Sequence, residues 1–415
     1  MKNKVSQRAR LISLSISVAF VFSTFLMPAW AAPLDSATDF ATLAARAAAE
    51  TEGVNAFPGS VLAAPTCSAS VSGYQLCIGQ APPSLAQPAT PPLTSSSSDS
   101  VLPLPSWCTQ APVGTRLSSR VQSCEIDAVY VSKIQYDSNG NAQEVGRAYL
   151  NYYNWQYTAF DIPAVAHQFG FSVYQIQGDV SGMTLSGTGA CSGSCVTQTP
   201  ASIADGPIVL GQWQEASGGY GPTDTTTGSV YYLSTNSTLS ATLNGVTSST
   251  SGLDFSVRCD NASGGSSPKP GCAIWFVPGV VQYSRTKLPT FTTHVSQALT
   301  SGLHGGNIYD PVHRTTDATR IAANRSAACG NPPSVPSFSC DEYPFASTYE
   351  GAASGGTARS FPNCLFLDPP ATGSSGYSRC MISATENLSA GGTLVNVYTG
   401  QRILDGDPLF VSITN

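Results

Sequence analysis

The spacing of apolar and polar positions divides the chain into four regions. An apolar run at residues 11–27 precedes a segment with helical propensity at residues 39–47, and a stretch rich in proline and serine follows. Apolar and polar residues then alternate over residues 121–283, and the pattern changes again after Ser284. We therefore expect a leader, a linker, a β-rich region and a mixed C-terminal region.

Residues 121–283 are predicted to form an antiparallel β-sandwich or barrel. Runs rich in β-branched and aromatic side chains are separated by turns such as Asp137-Ser138-Asn139-Gly140. His167 is the one histidine of this region, and no G-x-S-x-G motif occurs in it, so we expect a non-catalytic module. The predicted strands include residues 148–153, 169–174, 230–233, 253–257 and 274–277.

The C-terminal region is predicted to combine short helices with a terminal strand. Helical patterns cover residues 293–300, ended by Gly302 or by Gly305-Gly306, and residues 317–328. Ser383 and Glu386 have the spacing of a capping box that opens a third helix, which stops at Gly400. The strand is predicted at residues 409–413. The fold class is α+β: a β-sandwich-like domain at 116–285, then a small disulfide-stapled α+β domain at 286–415.

The N-terminus predicts export. Four basic residues precede the apolar run, and Ala29-Trp30-Ala31 follows it as a cleavage pattern, so residues 1–31 are expected to be a signal peptide. No membrane anchor is expected after cleavage, because the run is short and lacks a charged stop. Residues 32–115 are expected to be a leader helix and a linker. The mature protein is predicted to be secreted, either extracellular or periplasmic.

The twelve cysteines are all predicted to form disulfides. Their number is even and the predicted compartment is oxidising. Pairing between close neighbours closes small loops and is the simplest of many connectivities. Zinc is the alternative for Cys191 and Cys195, but no second cysteine or histidine pair lies nearby in the sequence. The favoured pairs are Cys67/Cys77, Cys108/Cys124, Cys191/Cys195, Cys259/Cys272, Cys329/Cys340 and Cys364/Cys380.

Composition and charge argue mildly against nucleic-acid binding. Charged residues make up 11% of the chain, well below the usual quarter, and the net charge is −6. A protein that depends on phosphate contacts normally carries a broad positive field. Any basic footprint of the C-terminal domain must come from its first part, because residues 331–415 are acidic overall.

Oxygen donors are concentrated near the C-terminus. Residues 340–351 contain Asp341, Glu342 and Glu350, and the predicted helix downstream carries two asparagines. Carboxylate and amide oxygens suit Mg²⁺, and phosphodiester hydrolysis needs a base and a cation on the phosphate. Adjacent carboxylates point to opposite sides of an extended chain, so we expect a turn near Pro344 if both face one site. His304 and His313 are possible bases or donors.

The run Cys340-Asp341-Glu342-Tyr343-Pro344-Phe345-Ala346-Ser347-Thr348-Tyr349-Glu350-Gly351 resembles the NucA/NucB family of secreted deoxyribonucleases. Segments 324–329, 387–392 and 404–411 add to the resemblance in the family's order. The resemblance implies a metal-dependent endonuclease of DNA, built on a β-hairpin and a helix, the ββα-metal arrangement. An acidic residue there replaces the usual hairpin histidine.

The resemblance also implies roles for individual residues. Asp341 and Glu342 correspond to the catalytic acids and His304 to an assisting histidine. The implied ligands for Mg²⁺ or Mn²⁺ are Glu350, Asn387 and Asn396. Cys340 stands where related proteins carry an arginine, and residues 362–378 are an insertion. Phosphate binding therefore passes to one or more of the candidates Arg314, Arg320 and Arg325.

Three alternatives stay open at this point. A secreted β-sandwich binding or adhesion protein with an inactive nuclease-like domain agrees with the charge and the missing arginine. A glycosidase is disfavoured, because its paired carboxylates lie about 5 to 9 Å apart and normally come from separate strands. A purely structural interpretation has Asp341 capping a turn, Glu350 in an ion pair and the asparagines capping a helix. The ligand of the β-rich module is unknown.

Overall fold

The computed structural model describes residues 34, 37–51, 53–58, 64–82, 101–252, 254–263 and 268–415. The predicted signal peptide, residues 1–31, lies outside these ranges, as do residues 83–100 of the predicted linker. Within the described ranges, none of the helices combines the length and the apolar composition needed to cross a bilayer.

The β-rich region consists of two sheets in the described part of the chain. One has the strand order β1-β4-β5-β6-β7-β11-β9, with β3 on β5 and β2 on β3; the other has the order β10-β8-β12-β14-β15, with β13 on β12. All pairs within both sheets are antiparallel. The elements are α1 (Ala37–Glu50), β1 (Asn55–Pro58), β2 (Thr66–Cys67), β3 (Tyr74–Gln80), α2 (Ser106–Thr109), β4 (Thr115–Ser118), β5 (Gln122–Tyr136), β6 (Ala142–Ala159), β7 (Ile162–Gly178), β8 (Thr184–Gly193), β9 (Cys195–Thr199), β10 (Ser202–Pro207), β11 (Trp213–Pro222), β12 (Val230–Leu243), β13 (Val246–Ser251), β14 (Phe255–Asp260) and β15 (Gly271–Ala273).

A shared apolar core holds the two sheets face to face. Val129, Leu150 and Phe169 of the first sheet pack in one cluster with Leu185 and Leu239 of the second, and all five are fully buried. Burial of each such side chain contributes about 1.5–3 kcal/mol. The alternating pattern in the sequence therefore predicts the sandwich correctly.

Helix α1 packs against the β-rich region. Phe40, Leu43 and Ala47 are buried in one cluster with Trp155 and Tyr157 of β6. The three helix residues are spaced by three and four positions, so they share one face. The predicted leader helix is thus part of the packed β-rich region.

The prediction of a strand at residues 274–277 is wrong. Strand β15 ends at Ala273, and the next four residues form a turn in which the Val277 amide donates to the Ile274 carbonyl at 3.2 Å. The carbonyls of Trp275 and Val277 accept hydrogen bonds from Nη1 of the buried Arg120. An arginine from elsewhere in the chain thus binds backbone groups that a strand would use in its ladder.

The C-terminal region has two small sheets and three helices in its described residues. Strand β16 pairs in parallel with β21, and β17 pairs on the other side of β21; the second sheet has the order β18-β20-β19. Strand β16 precedes the predicted domain boundary at 285/286 but hydrogen-bonds to the C-terminal strand. The elements are β16 (Gly279–Ser284), α3 (Pro289–Thr300), β17 (Val312–His313), α4 (Ala318–Cys329), β18 (Phe338–Tyr343), a 3₁₀ turn (Ala352–Ser354), β19 (Ala358–Arg359), β20 (Tyr377–Ser383), α5 (Ala384–Gly400) and β21 (Pro408–Thr414).

Disulfides join neighbouring segments throughout the described chain. Cys364–Cys380 is fully buried and anchors the insertion to β20, and Cys329–Cys340 ties the end of α4 to β18. The six bridges coincide with the pairs of close neighbours in the sequence: Cys67–Cys77, Cys108–Cys124, Cys191–Cys195, Cys259–Cys272, Cys329–Cys340 and Cys364–Cys380.

A buried ion network joins the β-rich and C-terminal regions. Asp260 of β14 accepts a hydrogen bond of 2.5 Å from Nη2 of Arg402, which follows α5. Arg120 donates to Asp407 at 3.0 Å, and both side chains are buried. The described residues of both regions belong to one compact unit.

Candidate active site

An open cavity of about 490 Å³ lies among α4, β18 and α5. Arg325 of α4, Asp341 and Glu342 of β18 and Asn387 of α5 line it, together with Tyr283 of β16. Strand β18 is at the edge of its sheet, so its unpaired side borders the cavity. Three of the predicted site types, namely acids, an amide and an arginine, therefore meet in one place.

The two adjacent carboxylates line this cavity without a turn between them. Strand β18 is extended through both residues, with Asp341 opposite Cys380 and Glu342 opposite Arg379 in the register with β20. Asp341 is 5% exposed, whereas Glu342 is half-buried, as expected for side chains on opposite faces. The expected turn near Pro344 is therefore not what brings them together; both border the cavity because β18 is an edge strand.

Asp341 is held by a histidine that sequence reasoning missed. Nδ1 of His294, on α3, lies 2.7 Å from Oδ2 of Asp341, and Nε2 lies 2.9 Å from Oγ of Ser378 on β20. The histidine is 0% exposed. Its position on the face of α3 that includes the buried Phe291 and Val295 is the one signal in the sequence, because a histidine there needs polar partners.

Glu342 has an acid–base property suited to neutral pH. Burial, the largest cause, and the negative charge of Asp341 together raise the pKa of its carboxyl to about 7, while the positive charge of Arg325 opposes the increase. Desolvation disfavours the charged form of an acid, and a like charge nearby does the same. Glu342 can therefore accept or release a proton near pH 7.

Asn387 is oriented by the strand beside it. Its Nδ2 donates to Oγ of Ser339 at 3.1 Å and to the carbonyl of Cys340 at 3.0 Å, so the amide nitrogen faces β18. The helix begins where the capping box predicts, with Ser383 accepting from the Glu386 amide. The Glu386 carboxylate instead accepts from the amides of Thr290 and Phe291, and so caps α3.

The predicted arginines lie in different places. Arg325 is exposed on α4 at the cavity. Arg314 stacks on the ring of Tyr398 and donates to the carbonyl of Ile403, and burial lowers its pKa. Arg320 stacks on Tyr349, with its guanidinium carbon 4.9 Å from the ring centre. Among these three described residues, only Arg325 lines the cavity.

The other predicted site residues form separate groups. His304 pairs with Asp310 at 2.5 Å. Nδ1 of His313 lies 2.8 Å from Oε1 of Glu350. In the described part of the chain, neither histidine nor Glu350 lines the cavity that contains Asp341. Asn396 is exposed on α5 and borders a neighbouring surface depression that also includes Asn387 and Arg325.

The oxygen donors at the cavity fit a metal site with few protein ligands, in which water completes the coordination. Within the described residues, no group of three or more His, Cys, Asp or Glu side chains is arranged to hold a metal ion. Mg²⁺ keeps several waters and needs only one or two protein carboxylates. Asp341 and the amide oxygen of Asn387 fit that requirement.

Comparison with known families gives a match in the C-terminal region. Residues 302–412 match the family model for Deoxyribonuclease NucA/NucB. The match covers α4, β18 and α5, the two helices and the strand that carry Arg325, the acidic pair and Asn387, and it begins after α3. A search of curated proteins found no match to the chain. Residues 302–412 of the C-terminal region are thus similar to the NucA/NucB deoxyribonuclease family.

Proposed function

We propose that the protein is a secreted, metal-dependent endonuclease that hydrolyses phosphodiester bonds of DNA in the cavity beside β18. One observation carries the proposal: two carboxylates, an amide and an exposed arginine line one open cavity inside the segment that matches a deoxyribonuclease family. The predicted alternative, a binding protein with an inactive nuclease-like domain, requires this constellation to have no chemical use.

Glu342, Arg325 and Asp341 each have a role in the proposed hydrolysis. Glu342 takes a proton from the attacking water, because its raised pKa of about 7 makes it a base at neutral pH. The water oxygen bonds to phosphorus as the bond to the leaving sugar oxygen breaks. Arg325 binds the phosphate oxygens and offsets their charge. Asp341 supplies a fixed anionic oxygen next to the base.

A divalent cation fits the donors of this site. Asp341 and the amide oxygen of Asn387 would hold Mg²⁺ or Mn²⁺, and the remaining positions would be filled by water and phosphate oxygen. The bound cation would polarise the scissile phosphate and lower the pKa of bound water. Because Nδ2 of Asn387 is used by Ser339 and Cys340, its amide oxygen is the atom free to serve.

The order of elements around the cavity supports a ββα-metal arrangement. Strands β18 and β20 form an antiparallel pair, and α5 follows β20 directly. The acids are on the first strand and Asn387 is in the first turns of the helix, as the family resemblance implies. In this arrangement Asp341 or Glu342 stands in place of the usual hairpin histidine.

Secretion is proposed from the sequence and the cysteine chemistry together. Residues 1–31 carry the pattern of a signal peptide, and the described cysteines are all in disulfides. Disulfides persist in oxidising compartments. The substrate is therefore proposed to be DNA outside the cytoplasm.

The function is tested by incubating the mature chain, residues 32–415, with supercoiled plasmid. We expect nicking in Mg²⁺ or Mn²⁺ that stops when EDTA is added and returns when excess metal is restored. Glu342→Gln should slow nicking by about 10²–10⁴-fold, because the base is removed while the shape is kept. DNA that stays intact with every divalent metal tested would refute the nuclease and favour the binding protein.

A further inference from the structure

A buried histidine outside the matched segment contacts the reaction centre. We propose that His294 is a positioning residue, which binds Oδ2 of Asp341 so that the carboxylate offers Oδ1 to the cavity. This inference rests on the proposed function, because it assigns a task within the same hydrolysis. It also extends the active site to α3, which lies before the segment that matches the family.

The contacts of His294 are those of a residue that positions another side chain, and His294 does not itself contact substrate. The side chain is fully buried, so it does not reach the DNA. An ionised carboxylate only accepts hydrogen bonds, so Nδ1 carries the proton in the 2.7 Å contact with Asp341. Nε2 then accepts from the hydroxyl of Ser378 at 2.9 Å. Both ring nitrogens are therefore occupied, which fixes the ring in one orientation.

This positioning residue is anchored to the rest of the site. His294 joins three elements, since it is on α3 and contacts Asp341 of β18 and Ser378 of β20. The start of α3 is bound to Glu386 of α5, whose Oε2 accepts from the Thr290 amide at 2.7 Å. The helix that carries His294 is thus fixed to the helix that carries Asn387.

This arrangement leaves Asp341 with one free oxygen. Among the described residues, the hydrogen bond of the Asp341 side chain is made by Oδ2, and the residue lines the cavity. Because the hydrogen bond already fixes the carboxylate in one conformation, no conformational entropy of this side chain is lost when metal and substrate bind. Outer hydrogen bonds of this kind are worth about 10–100-fold in metal affinity or activity.

Two variants separate the contact with Asp341 from the contact with Ser378. In His294→Asn the amide nitrogen has the reach of Nδ1, so the bond to Asp341 can be kept. In His294→Gln the amide nitrogen has the reach of Nε2, so the bond to Ser378 can be kept and the one to Asp341 is lost. His167→Asn is the matched control, because it removes another fully buried histidine in the β-rich region.

The variants are compared by kcat and KM on a defined DNA duplex in Mg²⁺, by binding of Mn²⁺ alone to the DNA-free protein, and by thermal unfolding. We expect His294→Gln to lower kcat and Mn²⁺ affinity by about 10–100-fold with KM little changed. His294→Asn should stay within about 5-fold of the native protein. His167→Asn should lower the unfolding temperature and leave kcat within about twofold, since His167 is on β7 and is not among the residues that line the cavity.

A second substitution decides the matter if the His294 variants fail to fold. Ser378→Ala should lower kcat several-fold in the native background, and this comparison needs no folded His294 variant. Where His294→Asn folds, Ser378→Ala should have no further effect in it, because that contact is already lost. Equal losses in His294→Asn and His294→Gln, or an unchanged kcat in Ser378→Ala, would overturn the assignment. Absence of DNA cleavage by the native chain with any metal would instead remove the proposed function itself.

Discussion

Nη1 of Arg258 lies 2.6 and 2.8 Å from the two carboxylate oxygens of Asp407, in a contact that is almost entirely buried. Arg258 belongs to the β-rich region and Asp407 to the loop before the last strand. Asp407 also accepts from Arg120, so one carboxylate offsets two buried guanidinium groups. This loop joins α5, which carries Asn387, to β21. The network therefore fixes the back of the nuclease region against the β-rich region.

Asp407→Asn should lower the free energy of unfolding by roughly 3–5 kcal/mol, because it removes the carboxylate that pairs with the buried Arg120 and leaves Arg258 with Asp260 as its remaining counter-charge. Urea denaturation measures the change. Asp317→Asn is the control: Asp317 caps α4 in an exposed position, and asparagine caps helices equally well, so a change below about 1 kcal/mol is expected. Similar losses of unfolding free energy in the two variants would contradict the stabilisation that is attributed to the ion network.

Residues 286–415 alone should not fold into a stable domain. Truncation there removes β16, whose Val281 and Tyr283 are buried in the C-terminal core, and it also removes the partners of Asp407. Each lost apolar side chain accounts for about 1.5–3 kcal/mol. We expect no cooperative thermal transition by circular dichroism, with thiol titration to verify that the disulfides have formed. A transition as cooperative and as high as that of residues 32–415 would show that the β-rich region is dispensable for folding.

Arg325→Ala should weaken the dependence of cleavage on salt. Arg325 is the arginine that lines the cavity among the described residues, and each lost phosphate contact reduces the slope of log(kcat/KM) against log[salt] by about 0.7–0.9. The comparison is Arg285→Ala, an exposed arginine that borders a different cavity. The phosphate role fails if both variants keep the native slope.

His167 should make the protein sensitive to acid. Burial lowers the pKa of its imidazole to about 3, from an ordinary value of 6.5. A group with a depressed pKa contributes stability above its unfolded pKa, and that stability is lost as the pH falls. Between pH 6 and 4 the native protein should lose about 1.4 kcal/mol per pH unit more than His167→Gln, measured by urea denaturation. Parallel curves for the two proteins would show that His167 is not held neutral.

The sequence predicted an element well where the interactions that form the element are made by residues close together in the chain. The alternating pattern predicted the sandwich, because successive side chains of a strand point to opposite faces and one face is buried in the core. Ser383 predicted the start of α5, because it makes its hydrogen bond within four residues. The strand predicted at residues 274–277 failed because its carbonyls bind Arg120, which is more than 150 residues away.

The site was predictable in part. The acidic pair, Asn387 and Arg325 could be chosen by residue type and family resemblance, and they line one cavity. His294 could not be chosen in the same way, because its contact with Asp341 spans 47 residues. His304 and Glu350 are bound to Asp310 and His313, partners that composition alone does not assign. Tertiary contacts therefore decide which polar residues reach the cavity.

The rate of plasmid nicking by Asp341→Asn tests the central claim most directly. The substitution keeps the shape of the side chain and removes its charge at the cavity. With saturating Mg²⁺, and with an unfolding temperature close to that of the native chain, we predict a rate at least about 10²-fold lower. A folded Asp341→Asn protein that nicks DNA at the native rate would contradict the assignment of this cavity as the active site.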